Sequence, residues 1–206
     1  MVQAVIFDLA GVLVTSEWTP IYKTLAAEIK STEERAEEIV KPLYRKWREN
    51  KITPEGFWEE FTKQAGVQPS DSFIRGFWIR MYQQWSQDIP ETWEIARELA
   101  ARGVRLALLT NIIEPSVAAN EEMGRFQRLR EMGFEALVHS YEVGCGKPCR
   151  KMYETVLQRL NLPAEECVYT DDKEKNAAAA AKLGMTGIHF ETPQKLREDL
   201  LTLGLL

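Results

Sequence analysis

Short aliphatic runs that recur along the chain constrain its fold more than any other feature. AVIFDL (4–9), VRLALLT (104–110), CVYTD (167–171) and TGIHF (186–190) are too brief for buried helices, and ALVHSY (136–141) is a weaker fifth. Runs of this length rich in Val, Leu and Ile read as strands covered on both faces. Helix-length stretches with charged faces lie between them. ETWEIARELAARG closes on Gly103, a helix stop, and RKMYETVLQRLNLP ends in Asn161 and Pro163 after an apolar stripe at Met152, Val156, Leu157 and Leu160. Strands alternating with helices predict an α/β fold with a doubly wound parallel sheet.

The exception is 16–87, which holds no convincing strand and five of the six tryptophans. It reads as helices over TPIYKTLAAEIK, TEERAEEIVKPLYRKWREN, TPEGFWEEFTKQAG and SDSFIRGFWIRMYQQW, with Thr, Ser or Asp near the starts as caps. The expected organisation is therefore a core of 1–15 and 88–206, with a small helical domain of 16–87 inserted after the first strand. The alanines of 177–181 predict a helix packed close to its neighbour, and TPQKLREDLLTLGLL an amphipathic closing helix.

Composition narrows the partners. At 206 residues and 45% hydrophobic content the chain has room for a real core, and its net charge of -5, with no basic run, argues against nucleic acid. No segment approaches the length of a membrane span. The start MVQAVIFD lacks the basic region and apolar length of a signal peptide, so a cytoplasmic location with reduced thiols is expected. Cys145 and Cys149 have no second pair to complete a zinc site.

The strand ends carry the chemistry. In a doubly wound sheet, ligands bind beyond the carboxyl ends of the strands. Asp8 ends the first run, Thr110 and Asn111 the second, Asp171 and Asp172 the third, and Lys147 follows the weaker run in VGCGKP. Taken singly each has an ordinary explanation as turn, cap or solvated residue. Together they place several carboxylates at one edge, where they repel unless a cation sits among them, and hard oxygen ligands suit Mg²⁺. A lysine, a hydroxyl and a side-chain amide beside that cation could hold a phosphoryl group, and an Asp carboxylate can serve as the nucleophile.

FDLAGVL, LLTN, GKPCRKMY and VYTDDKEKNAAAAAKLGM resemble, in order, the four motifs of the haloacid dehalogenase superfamily of hydrolases. The helical insertion sits where that family places its smaller cap, on a Rossmann-like core. The late segment from GKPCRKMY onward is similar to sugar-phosphate phosphatases and to the phosphatase domain of soluble epoxide hydrolases. The resemblance implies Asp8 as nucleophile and metal ligand, the backbone carbonyl of Ala10 as second ligand and Asp172 as the direct carboxylate ligand of Mg²⁺. Asp171 and Asn176 would orient water around the metal or Lys147. Thr110, Asn111 and Lys147 would hold the phosphoryl oxygens, and Gly11 would let the backbone approach the phosphate. The implied substrate is a small phosphorylated metabolite, and the implied assembly a monomer or homodimer.

At Ala10 the sequence departs from the family's phosphatases, which usually carry a second Asp there as general acid and base. Such help is typically worth about 10² to 10⁴ in rate. Four readings remain: a sugar-phosphate phosphatase that uses water or substrate for the proton; a disabled binding protein or Asp-to-Ala trap; a 2-haloacid dehalogenase; and a phosphonoacetaldehyde hydrolase. The acidic pair of TDDKEKN argues against the dehalogenase, and no cap lysine among Lys23, Lys41, Lys46 and Lys51 stands out as the Schiff-base residue of the last. The cap aromatics read as core, with Trp18 a candidate to stack on a sugar ring. Arg45, Lys46 and Arg48 read first as a solvated helix face, with contact to a second anionic group of the substrate as the alternative, and His139 and His189 read as structural.

Overall fold

A computed structural model describes residues 2–206. Five strands, β1 (Ala4–Phe7), β2 (Arg105–Thr110), β3 (Phe134–His139), β4 (Cys167–Asp171) and β5 (Thr186–His189), form one sheet in the order β3-β2-β1-β4-β5. Every pairing is parallel. β1 is central and wholly buried, as its unbroken aliphatic run requires. Its alternate residues feed different layers: Val5 and Phe7 join one apolar cluster, Ala4 and Ile6 the other.

Twelve helices complete the described chain apart from a short 3₁₀ turn. Those of the insertion are α1 (Thr19–Glu28), α2 (Glu33–Arg48), α3 (Pro54–Ala65), α4 (Asp71–Ile74) and α5 (Phe77–Trp85). The others are α6 (Pro90–Ala101), α7 (Glu114–Glu122), α8 (Arg125–Glu131), α9 (Ser140–Val143), α10 (Arg150–Leu160), α11 (Glu174–Ala181) and α12 (Pro193–Thr202). Trp93 and Leu99 of α6, with Leu196 and Leu200 of α12, cover one face of the sheet. Met152, Tyr153, Val156 and Leu160 of α10, with Ala180 of α11, cover the other. The alanine run packs closely: a Cβ on Gly187 of β5 would lie 2.2 Å from the Ala177 carbonyl oxygen.

The insertion has its own apolar cluster around Trp47, Phe57, Phe61 and Phe77, joined by Ile113 from just beyond β2. Thr32, Thr53 and Ser70 cap α2, α3 and α4 by accepting from backbone N–H groups. One expectation is corrected here: SDSFIRGFWIRMYQQW forms two helices, because Gly76 adopts φ +66 and breaks the stretch after Arg75. The two ends of the insertion meet in a narrow neck. Val14 bridges Asp88, and the Thr15 N–H donates to the Gln87 carbonyl at 2.7 Å. Buried Arg125 ties this neck to α8, donating to Asp88 Oδ1 at 2.7 Å and to the Ser86 carbonyl at 2.6 Å.

A second correction concerns the cysteines. Cys145 and Cys149 form a disulfide, their Cα atoms 6.2 Å apart across the turn that holds Lys147, while Cys167 is a buried thiol. No described helix is long and apolar enough to cross a membrane.

Candidate active site

The sheet order reverses between β1 and β4, and it is there that the polar strand ends converge. Asp8 and Lys147 are 5% and 4% exposed, and Asp171 is fully buried. Burying three charges is tolerable only if they satisfy one another. Lys147 Nζ lies 2.7 Å from Asp8 Oδ1 and 2.7 Å from Asp171 Oδ2, and donates to the Leu109 carbonyl at 2.8 Å. These three acceptors match the three N–H bonds of an ammonium.

Each carboxylate is left in a different state. Asp171 is saturated: Oδ2 also accepts from the Tyr169 hydroxyl, and Oδ1 accepts from the Lys173 N–H and Asn176 Nδ2, both at 2.9 Å. Asp8 Oδ1 takes the Leu9 N–H at 2.7 Å besides Lys147, whereas Oδ2 accepts no hydrogen bond among the described residues. Asp172 Oδ1 is buried without a partner. Electrostatics follows the same division. Burial pushes the Asp8 carboxyl up to about 7, with Lys147 opposing and Asp171 adding to the rise. Asp171 meets similar burial, yet Lys147 and the hydrogen bonds of Tyr169 and Lys173 hold it at about 2. Asp172 is raised, chiefly by burial. One ammonium cannot neutralise three carboxyls, so the cluster remains short of positive charge.

These observations fit a divalent cation. One oxygen from each of Asp8, Asp171 and Asp172 lies within 4.8 Å of the others. Asp8 Oδ2, Asp172 Oδ1 and the Ala10 carbonyl are without hydrogen bonds among the described residues, whereas both oxygens of Asp171 are engaged. The free donor set is all oxygen, which suits Mg²⁺. Gly11 makes room for it. At φ +88, a Cβ there would fall 2.6 Å from Asp172 Cγ. The close approach that Gly11 allows here is to the Asp172 carboxylate.

Thr110 is buried at the end of β2 and lines the cavity above Asp8. Asn111 lines it too, but its side chain turns elsewhere: Oδ1 accepts the Lys147 N–H at 2.8 Å, and Nδ2 donates to the Lys147 carbonyl at 3.2 Å. The side-chain amide of Asn111 thus fixes the backbone of the lysine. Asn176 holds Asp171 and leaves its own Oδ1 without a partner. Ala10 places a methyl group at the cavity, beside Asp8.

Several residues at the site escaped sequence reasoning. Tyr169 reads as a core aromatic, and only its period-two position before Asp171 in β4 signals that both share a face. Ser140 bonds the Ile112 N–H at 3.0 Å and so holds the backbone beyond Thr110. Trp78 and Tyr82 reach the cavity from the insertion, as does Arg48, one of the three basic residues for which the sequence left contact with an anionic group open. His139 stacks on Phe126 and Tyr141, away from the carboxylates.

The model of a family of hydrolases, the haloacid dehalogenase-like hydrolases, matches residues 2–184. The sesquiterpene phosphatase of Aspergillus oryzae is 30% identical over 193 residues, covering 91% of this chain and 89% of that protein. The phosphorylated carbohydrates phosphatase of Thermotoga maritima is 26% identical over 191 residues, covering 91% and 84%. A HAD family enzyme of Bacteroides thetaiotaomicron, solved as a magnesium complex, superposes with a TM-score of 0.76 at 21% identity, over 92% of this chain and 93% of that one.

Proposed function

Since the chain belongs to the haloacid dehalogenase-like hydrolases, we propose that it is a Mg²⁺-dependent phosphatase of small phosphate monoesters that works through an aspartyl-phosphate at Asp8. The observation that carries this reading is the unequal use of the Asp8 oxygens: Oδ1 is pinned by Leu9 and Lys147, and Oδ2 is left free beside a cavity. Both relatives above carry phosphatase names, which supports the reaction class.

Asp8 attacks phosphorus through the carboxylate oxygen that a cation would not hold, forming an O–P bond as the bond to the ester oxygen breaks. Asp8, the Ala10 carbonyl and Asp172 would hold a Mg²⁺, which would supply charge neutralisation for the phosphoryl oxygens. Lys147 offsets negative charge beside Asp8, Asn111 holds the lysine's backbone, and the Thr110 hydroxyl donates to a phosphoryl oxygen. Asp171 and Asn176 keep the ammonium in place. Water then attacks phosphorus, releasing phosphate and the Asp8 carboxylate. The departing alkoxide takes its proton from water or from the substrate itself, because the methyl of Ala10 has none to give.

Ala10 also favours a second reading, a phosphate-binding protein whose turnover is lost. Phosphate release from sugar and aryl phosphates, with Mg²⁺ or EDTA, separates the two when Ala10→Asp and Asp8→Asn are run beside the parent. Turnover by the parent that needs Mg²⁺ and vanishes in Asp8→Asn establishes the phosphatase. A silent parent that Ala10→Asp restores makes it a disabled one, and silence in both sinks the phosphate-ester reading.

A further inference from the structure

The cavity above Asp8 is charged on its sheet side and aromatic on the insertion side, where Trp18, Ile21, Tyr44, Trp78 and Met81 form its wall. The rings brace one another: Trp18 meets Tyr44 edge-on at 4.7 Å, and Tyr44 meets Trp78 at 5.4 Å between centroids. Such a wall is set before any ligand arrives and offers a body of apolar surface. Two hydroxyls near it are already engaged. Thr15 Oγ1 accepts the Gln87 N–H at 3.0 Å, and Ser86 Oγ accepts from Arg125 Nη1 at 2.9 Å.

Three polar side chains on this side lack partners; one is the wall's own Trp78, through Nε1, and the other two stand beside it. Arg48 Nε is buried without a hydrogen bond, and Arg48 makes no ion pair among the described residues. The Tyr82 hydroxyl is likewise buried without a well-formed hydrogen bond, with Asn120 and Ser86 as its polar neighbours. Both line the cavity. A buried donor with no acceptor carries a standing penalty, which a ligand oxygen placed there removes. The many hydroxyls of a sugar would outnumber these groups and lose their water against the aromatic wall.

Building on the phosphatase reading, we propose that the insertion side of the cavity selects a phosphate monoester whose alcohol portion is flat and apolar and carries one anionic oxygen group, received by Arg48 and Tyr82. A charge-assisted contact to the half-buried Arg48 guanidinium favours a carboxylate over hydrogen by about tenfold. The planar, apolar body separates this substrate from a free sugar phosphate, and the anionic group separates it from a plain hydrocarbon phosphate.

The test uses the intact protein and three esters: 2-naphthyl phosphate, its 6-carboxy derivative and glucose 6-phosphate. The expected order of kcat/KM places the carboxylated ester about tenfold above the plain one, and the plain one above the sugar phosphate. Arg48→Met is expected to erase the advantage of the carboxylate, while Arg48→Lys keeps part of it. Equal or better turnover of glucose 6-phosphate, or no advantage from the carboxylate, overturns the proposal and leaves the phosphatase standing. Calorimetric titration with the matching naphthylmethyl phosphonates reads the same preference without turnover. If no ester is hydrolysed, tighter binding of the carboxylated phosphonate, lost in Arg48→Met, upholds the selectivity while the phosphatase reading fails; equal binding overturns it.

Discussion

The sheet edge and the helical insertion line a single cavity from opposite materials. At the sheet edge a buried lysine meets two carboxylates within hydrogen-bond distance, and the atoms left over at Asp8, Asp172 and Asn176 are oxygens that can only accept. In the insertion, aromatic rings pack edge to face and the buried donors Arg48 Nε, Trp78 Nε1 and the Tyr82 hydroxyl are left unsatisfied. A site that performs one reaction needs fixed charges, because misplaced dipoles must reorganise as charge develops. A site that chooses among alcohols needs surface and a few unmet donors. The two halves therefore answer to different perturbations.

The contrast would break first at Lys147. Lys147→Met leaves Asp8 and Asp171 without their shared cation, so phosphate release should fall by about 10² to 10³. Stability of the metal-free protein should drop by roughly 3 to 5 kcal/mol, read by thermal melting at pH 7. If turnover survives with only a stability loss, the lysine is structural and the sheet edge is less chemical than it looks.

A change inside the insertion should act on stability alone. Trp47 is buried and its Nε1 donates to Glu114 at 2.9 Å, joining α2 to the start of α7. Trp47→Leu removes ring volume and that bond, for a cost of about 2 to 4 kcal/mol in denaturant melts. Turnover of a small aryl phosphate at 20 °C should stay within about threefold of the parent. A larger loss would mean that cap packing reaches the phosphate site.

The smallest effect belongs to the neck. Burial raises the Asp88 carboxyl, but hydrogen bonds and charge from Arg128 and Arg125 more than reverse this and hold it below the ordinary carboxylate value. A depressed carboxyl stabilises the fold above its unfolded pKa, and that contribution is lost as pH falls through the lower folded value. Asp88→Asn should therefore cost about 1 kcal/mol at pH 7, discounted for its partial exposure. The gap from the parent should narrow as pH falls below about 4 and close once Asp88 itself is protonated. A gap independent of pH would show that the amide, not the charge, matters.

Much of the sheet was legible because residue type and run length carry it: β1, β2, β4 and β5 begin and end within two residues of the aliphatic runs. β3 lies two residues earlier than ALVHSY, because Ser140 begins α9. α7 and α8 were not read at all; their apolar periodicity is weak and Gly124, at φ +71, separates them. At the site, the convergence of Asp8, Lys147, Asp171 and Asp172 was legible from strand ends. The direction of the Asn111 side chain was not, since it depends on a turn 36 residues away. Arg48 and Tyr82 reach the cavity only because the insertion docks on the sheet, and docking leaves no local mark in sequence.

The neck has a consequence for how the chain finds this structure. β1 pairs with β2 in the register Ala4 to Arg105, so the central ladder must close a gap of 101 positions. Contacts that distant in sequence normally slow folding, because chain entropy is lost before the ladder repays it. Once the insertion has formed, however, Val14 and Asp88 lie side by side. The stretch left to search then shrinks to the few residues between β1 and the bridge and the single helix α6 before β2. The insertion thus acts as a splint for the nucleus of the sheet, and mutations that slow its formation should delay the ladder that holds Asp8.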